Sequence, residues 1–304
     1  MRNTVAEELQ RRCGVRVRVD ELLARYTSFH IGGPADLLCE PRSEGELLCV
    51  LAAARELSLP VQVIGWGTNL LVRDGGVRGL VVRIGPEFAD VRVEGLCIAA
   101  QAGARLQDLC NLAAESSLSG LEFAVGIPGT LGGGLVMNAG AYEGCLADVV
   151  IEVRAATPEG TCRAVPPAEC GFGYRTSAFR QVGLVLTGGT LQLADGDSRE
   201  IRARHEGIRA RRRAAQPLNL PSAGSVFQRP PGDYAGRLIE AAGLKGMRIG
   251  GAAISGKHAN FIVNVGNATA LDVLALVDLV RTRVRETQGV RLEPELIVIG
   301  EDPT

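Results

Sequence analysis

Gly126-Ile-Pro-Gly-Thr-Leu-Gly-Gly-Gly-Leu-Val-Met-Asn-Ala-Gly-Ala-Tyr142 concentrates glycine inside an apolar stretch. Glycine there gives up backbone entropy and supplies no side chain to pack. Close approach can offset that loss, because bare amides reach a phosphate or a flat ring that a Cβ would hold off. The run therefore reads as the floor of a cofactor site with Asn138 and Tyr142 at its edge. A tight buried turn is the plainer alternative.

A second segment, Val61-Gln-Val-Ile-Gly-Trp-Gly-Thr-Asn-Leu-Leu-Val-Arg-Asp-Gly-Gly-Val77, reads as strand, polar turn and apolar strand. Gly65, Gly67, Thr68 and Asn69 would offer amides and a hydroxyl to an anionic group. Leu70 stands where a Rossmann fingerprint needs its third glycine, and no Walker lysine–serine pair exists. Two such loops together suit one large cofactor.

The chain has 304 residues, 46% hydrophobic and 22% charged, with a formal net charge of −1. That length supports two domains with cores of their own. A near-neutral balance and 4% aromatics give no electrostatic or stacking basis for a nucleic-acid partner. Eight cysteines are scattered without a CxxC pair or zinc spacing, so they read as free thiols acting as small hydrophobes. The longest apolar run, Leu47 to Ala54, is too short for membrane insertion. The expectation is a reduced, cytoplasmic monomer with no metal site.

Strands are expected at Ala35–Glu40, Val61–Ile64, Leu80–Ile84, Cys97–Ala102, Val149–Thr157 and Leu184–Leu193, with Gly188-Gly189 marking a turn. Helices are expected at Glu44–Ser58, with Leu47, Leu48, Leu51 and Ala54 on one face, and at Leu106–Ser117, with Leu109, Leu112 and Ala113 inward. Between Ser198 and Ala215 seven arginines crowd one helical stretch, which reads as a solvated helix leading into a second domain. One of those arginines could help hold a phosphorylated ligand. Beyond it, Tyr234–Ala242 reads as a helix, Asn260–Val265 and Leu296–Ile299 as strands. Thr269-Ala-Leu-Asp272 resembles a capping box opening a helix with Val273, Leu276, Val277, Val280 and Val284 on one face.

Three short sites could carry chemistry. Gly171-Phe-Gly-Tyr-Arg-Thr-Ser177 sets Tyr174 and Arg175 beside two glycines, and a guanidinium suits a carboxylate or phosphate. Pro221-Ser-Ala-Gly-Ser-Val-Phe-Gln-Arg-Pro230 holds Ser225 in a proline-bounded turn that is not a nucleophile elbow. Glu293-Pro-Glu295 precedes the last strand. Each is also compatible with an ordinary surface pair, turn or solvated carboxylate. His258 reads as a substrate contact or turn residue.

In order, Tyr26-Thr-Ser-Phe-His-Ile-Gly-Gly-Pro-Ala35, Gly65 to Asp74, Gly126 to Tyr142, Gly173-Tyr-Arg-Thr-Ser177, Gly224-Ser-Val-Phe227 and Glu293-Pro-Glu295 resemble the UDP-N-acetylenolpyruvoylglucosamine reductases. The resemblance spans nearly the whole chain. It implies an α+β fold: an N-terminal helical segment (1–20), an FAD-binding domain of the vanillyl-alcohol-oxidase (PCMH) type (21–203) and a smaller C-terminal α/β substrate-binding domain (204–304). It further implies noncovalent FAD, NADPH as electron donor, a UDP-sugar substrate and UDP-N-acetylmuramate as product. The family's catalytic arginine, serine and glutamate fall on Arg175, Ser225 and Glu295. Its flavin contacts fall on Gly65, Gly67, Thr68, Asn69, Leu70, Gly126, Pro128, Gly129, Gly132, Gly133, Asn138 and Ala139. Its substrate contacts are carried to Tyr174, Gln228, Arg229 and His258. Trp66 stands where many members have glycine, and Gln228-Arg229 where many have Lys-Asn. A sugar or lactone oxidase of the same fold would explain both glycine segments, but not Arg175, Ser225 and Glu295 together.

Overall fold

The computed structural model describes residues 2–157, 160–180 and 183–303. It divides into two compact units. The first comprises Met1–Val19, Leu37–Trp66 and Gly79–Arg212, the second Asp20–Asp36, Gly67–Arg78 and Arg213–Thr304.

The first unit is built on a five-stranded antiparallel sheet in the order Cys162–Val165, Val150–Ala156, Val185–Gln192, Cys97–Gln101, Val91–Glu94. Gly188 and Gly189 lie inside a strand of it, opposite Gln101 and Ala100, and do not make the expected turn. A Cβ on Gly188 would come within 2.5 Å of the Ala100 carbonyl, so these glycines serve close strand packing. A four-stranded sheet has the order Val17–Leu22, Pro34–Cys39, Val77–Arg83, Val61–Ile64, and the last two run parallel. Between Pro34–Cys39 and Val61–Ile64 runs the helix Glu44–Glu56, capped by the Ser43 hydroxyl accepting from the Glu46 amide.

That helix buries Leu47, Val50, Ala53 and Ala54, so the inward face is rotated from the expected one; Leu48 and Leu51 are half-buried. The helix Leu106–Glu115 likewise buries Leu106, Leu109, Cys110, Ala113 and Ala114, leaving Leu112 half-buried. Cys49 is joined to Cys13 of the helix Arg2–Cys13 by a disulfide, with Cα atoms 5.5 Å apart. This corrects the expectation of eight free thiols. The partners are 36 residues apart, and only helix-on-helix packing brings them together. The other six cysteines are free.

The second unit packs the helix Ala270–Gln288 against the three-stranded sheet Arg248–Ile249, Ala252–Ile254, Ile262–Asn264. Its inward face is the expected one, Val273, Leu276, Val277, Val280 and Val284. Each such side chain contributes on the order of 1.5–3 kcal/mol by leaving water. The capping box is reciprocal: the Thr269 hydroxyl accepts from the Asp272 amide, and the Asp272 carboxylate from the Thr269 amide. Asp74 adds its carboxylate to the same end, accepting from the amides of Ala270 at 2.8 Å and Leu271 at 3.1 Å. Gly289, at φ +70°, closes the helix. Ile297–Ile299 pairs in parallel with Leu70–Val72. Among the described residues no helix is long and apolar enough to cross a membrane.

Candidate functional site

Within the glycine run, Leu131–Met137 is a short helix capped by Thr130, whose hydroxyl accepts from the Gly133 amide. Two of its glycines face protein: a Cβ on Gly132 would sit 2.9 Å from the Ala102 Cβ, and one on Gly134 2.8 Å from Leu146. The Leu131 and Gly132 amides are already bonded to the carbonyls of Ala104 and Ala102, both at 2.8 Å. Gly65 and Gly133 differ, because both look onto the Thr130 hydroxyl and nothing else comes within 4 Å. Beside Gly65, the Trp66 indole nitrogen is buried with no hydrogen-bond partner among the described residues. The Arg105 guanidinium lies 4.2 Å from the centre of the Trp66 ring. A side-chain-free strip beside a buried donor and a cation suits an anionic cofactor, and these residues therefore fit FAD. Gly126 is spent differently: at φ +74°, its Cβ position is filled by the Arg212 side chain, 2.8 Å away. Pro128 is exposed, Gly129 is half-buried at φ +124° and Ala139 is buried.

Asn138 ends the short helix in the left-handed region at φ +44° and ties it to the Tyr174–Arg175 turn. Its amide donates to the Gly173 carbonyl at 3.1 Å and its oxygen accepts from the Ala147 amide at 3.0 Å. Ser177 donates to the Val136 carbonyl at 2.8 Å from the far side of the same turn. Gly173 and Thr176 exchange backbone hydrogen bonds of 3.0 and 3.4 Å, leaving Tyr174 and Arg175 as a two-residue turn. Arg175 has φ +55°, where glycine would be at ease and arginine is strained. Its guanidinium is half-buried and 5.4 Å from the Tyr174 ring centre, while Tyr174 is exposed.

In the second unit the Gly67–Leu70 loop is held from two directions. Gly67, at φ +62°, could carry no side chain, since a Cβ would meet the Tyr26 carbonyl at 2.3 Å. The Gly67 carbonyl accepts from the Ser28 amide at 3.2 Å, and the Ser28 hydroxyl donates to the Ser222 carbonyl at 2.7 Å. The Asn69 amide donates to the Glu295 carbonyl at 3.2 Å, and the Asn69 carbonyl accepts from the Ile297 amide at 3.1 Å. Glu295 in turn donates its backbone amide to Val226 at 2.8 Å, beside Ser225, which is bridged to Phe261. Asn69, Glu295 and Val226, the residue after Ser225, are thus joined, although they lie far apart in sequence. Ser225 and Glu295 are half-buried, as are Thr68 and Leu70.

Of the remaining candidates, Gln228 donates its backbone amide to the Glu293 carbonyl at 2.9 Å, and exposed Arg229 stacks on Tyr234 at 4.1 Å. The His258 Nδ1 accepts from the Asn260 amide at 3.2 Å, which leaves the proton on Nε2. Burial holds the His258 pKa below its ordinary value, favouring the neutral ring. The arginine-rich helix Ser198–Ala215 is only partly solvated. Arg204 bonds Glu122 at 2.7 Å, Arg209 bonds Asn111 at 3.0 Å, and Arg211 stacks on Tyr142 at 4.7 Å. Burial lowers the Arg212 pKa, against the opposing hydrogen bond and charge of Tyr142. Arg105 and its stack on Trp66 escaped the sequence reading; a lone arginine outside any motif gave no signal. Among the described residues no group of His, Cys, Asp and Glu could hold a metal ion.

A family model described as FAD binding domain matches residues 35–165. Another, the C-terminal domain of UDP-N-acetylenolpyruvoylglucosamine reductase, matches residues 216–299. A UDP-N-acetylenolpyruvoylglucosamine reductase of Moorella thermoacetica is 49% identical over 297 residues, 98% of each chain. One of Syntrophomonas wolfei is 45% identical over 287 residues, 94% of this chain and 96% of the relative. The crystal structure of UDP-N-acetylenolpyruvylglucosamine reductase (MurB) from Thermus caldophilus superposes with a TM-score of 0.80 at 40% identity, covering 93% of this chain and 98% of that one. With an FAD-binding domain of the PCMH type followed by the reductase C-terminal domain, the chain belongs to the UDP-N-acetylenolpyruvoylglucosamine reductase family.

Proposed function

We propose that this chain is an FAD-dependent oxidoreductase that uses NADPH to reduce the enolpyruvyl ether of UDP-N-acetylglucosamine to UDP-N-acetylmuramate, a peptidoglycan precursor. In this reading residues 21–203 carry the flavin and 204–304 receive the sugar nucleotide, behind an N-terminal helical segment over 1–20. The protein works as a cytoplasmic monomer without a nucleic-acid partner. What carries the reading is the link of Asn69 to Glu295 and of Glu295 to Val226, beside Ser225, in a chain matched nearly end to end by reductases of that name.

Bound noncovalently, FAD would supply the relay of a hydride from NADPH to C3 of the enolpyruvyl group. Addition at C3 pushes electron density onto C2 and the adjoining carboxylate. Arg175 neutralises that developing charge with its planar fork, and Glu295 serves as a second polar anchor. Ser225 gives its hydroxyl proton to C2, completing the saturated lactyl ether. A serine hydroxyl is a weak acid in water, but an enolate carbon is basic enough to take its proton. Tyr174, Gln228, Arg229 and the Nε2–H of His258 hold the sugar nucleotide.

Anaerobic rapid mixing separates the two halves. NADPH should bleach the yellow protein, and the enolpyruvyl substrate should restore the colour. Ser225→Ala should still bleach yet recover at least ~10²-fold more slowly, the usual scale for a lost general acid, with Ser225→Cys retaining more. Oxygen consumption with a sugar, and no turnover of the enolpyruvyl ether, would establish an oxidase instead. Ser225→Ala recovering at the wild-type rate would return Ser225 to an ordinary turn residue.

A further inference from the structure

Gly224-Ser-Val-Phe-Gln228 carries the proposed acid outside every helix and strand of the second unit. Two sets of hydrogen bonds hold it. In one, the Val226 carbonyl accepts from the Glu295 amide at 2.8 Å and the Gln228 amide donates to the Glu293 carbonyl at 2.9 Å. The other comes from a single residue, Asn260, which is 8% exposed. Its carbonyl accepts from the Val226 amide at 2.9 Å, and its Oδ1 accepts from the Phe227 amide at 3.0 Å. Its Nδ2 donates to the Phe227 carbonyl at 2.8 Å. The carboxamide thus serves Phe227 as an antiparallel neighbour's backbone would, exchanging one donor and one acceptor. Phe227 is 2% exposed, so water does not stand in for either bond. Asn260 is itself held, because its backbone amide donates to the His258 Nδ1 at 3.2 Å. Upstream of Ser225, Gly224 is at φ +77° with open space where a Cβ would stand. The grip on Ser225 comes from its bridge to Phe261 and from the residues that follow it.

We propose that Asn260 is a positioning residue for the proton transfer: its carboxamide, acting through Phe227 and Val226, sets where the Ser225 hydroxyl stands. The inference rests on Ser225 being the proton donor, as read above. Asparagine suits the task because one planar group carries both the acceptor and the donor that a buried peptide needs. Loss of the carboxamide spares the backbone bond between Val226 and Asn260 and the bonds from Glu293 and Glu295. The segment then keeps its path and loses its exact placement. An acid displaced by about 1 Å can cost on the order of 10²-fold in rate. That loss falls on the step in which C2 gains its proton, and leaves flavin reduction and substrate affinity alone.

The test is a double-variant cycle in the flavin-loaded protein: wild type, Ser225→Ala, Asn260→Asp and the two together, in anaerobic rapid mixing. Aspartate keeps the shape and the acceptor. Ionised, it sets an oxygen against the Phe227 carbonyl; protonated, it restores the donor. At mildly alkaline pH, NADPH should bleach Asn260→Asp at the wild-type rate. The enolpyruvyl substrate should then restore its colour about 10–10²-fold more slowly, with the half-saturating substrate concentration within about threefold of wild type. Lowering the pH should bring the recovery rate, as a ratio to wild type at each pH, back toward one. His258 on the same loop, Glu240 and Lys245, whose charges reach it, and Glu295 across the segment titrate in both proteins and drop out of that ratio. In the Ser225→Ala background the same substitution should cost less than about threefold, because the acid it positions is gone. Wild-type recovery of Asn260→Asp at every pH would overturn the proposal. So would a slowed rate whose ratio ignores pH, or losses that multiply in the double variant, which would place Asn260 in a step independent of Ser225. If the ionised aspartate prevents folding, Asn260→Ser, small, uncharged and able to keep one bond, takes its place and the cycle decides. Failure of the proton-donor reading itself would look different: Ser225→Ala alone would recover at the wild-type rate.

Discussion

Arg175 stands at φ +55° in a two-residue turn, so its two glycine-sized alternatives separate backbone strain from side-chain chemistry. The left-handed region costs a non-glycine residue roughly 1–2 kcal/mol. Glycine avoids that cost but adds unfolded-chain freedom worth ~0.4–1 kcal/mol. Arg175→Gly and Arg175→Ala both lack the guanidinium and differ only in this balance. The glycine variant should therefore be the more stable by about 1 kcal/mol, or about 2–4 °C in melting midpoint. Thermal melts of the two variants side by side measure the difference. In rapid mixing both should be reduced by NADPH, and both should lose about 10²–10³ in reoxidation by the enolpyruvyl substrate. Equal stability of the pair would show that the turn stores no strain at position 175. Wild-type reoxidation in the glycine variant would show that the guanidinium has no part in the reaction.

Gly67→Ala should abolish FAD retention, because the added Cβ would lie 2.3 Å from the Tyr26 carbonyl and must displace backbone; the flavin-to-protein absorbance ratio after gel filtration reads it. Burial holds His205 and His258 below the ordinary 6.5, so the unfolded chain binds their protons first as pH falls. Stability should be full above 6.5 and decline below it until the folded-state pKa values are passed, and His258→Asn should flatten part of that slope in urea melts across pH. Reduction of the Cys13–Cys49 bridge, which closes a loop of 36 residues, should cost roughly 3–4 kcal/mol by chain entropy, read as a lower urea midpoint in dithiothreitol.

Periodicity made the long helices legible, and Ala270–Gln288 emerged with its cap and its inward face as read, because both signals are local. The helix Leu131–Met137 was not legible. Three glycines in seven residues have poor helix propensity, and what fixes them is contact with Ala102, Leu106 and Leu146, residues that no local window includes. Gly188-Gly189 misled for the opposite reason: glycine usually marks a turn, but here it lets a neighbouring strand come close. The Cys13–Cys49 bridge and the Trp66–Arg105 stack each join separate segments, so spacing carried no trace of them. The candidate site was named through motifs, whereas the hydrogen bonds that join Asn69, Glu295 and Val226 needed the folded chain.

Those hydrogen bonds also fix an order of assembly during synthesis. Asn69 and Glu295 are 226 residues apart, and the strand Leu70–Val72 pairs with Ile297–Ile299, which leave the ribosome long after the loop does. Most of the first unit can collapse while translation continues, but the Gly67–Leu70 loop waits for residues 295–299 to give it a floor. A chain stopped short of Glu295 would present that loop unbraced, with a strand edge open to other chains. The nascent protein therefore gains its braced loop only once residues 295–299 have been made.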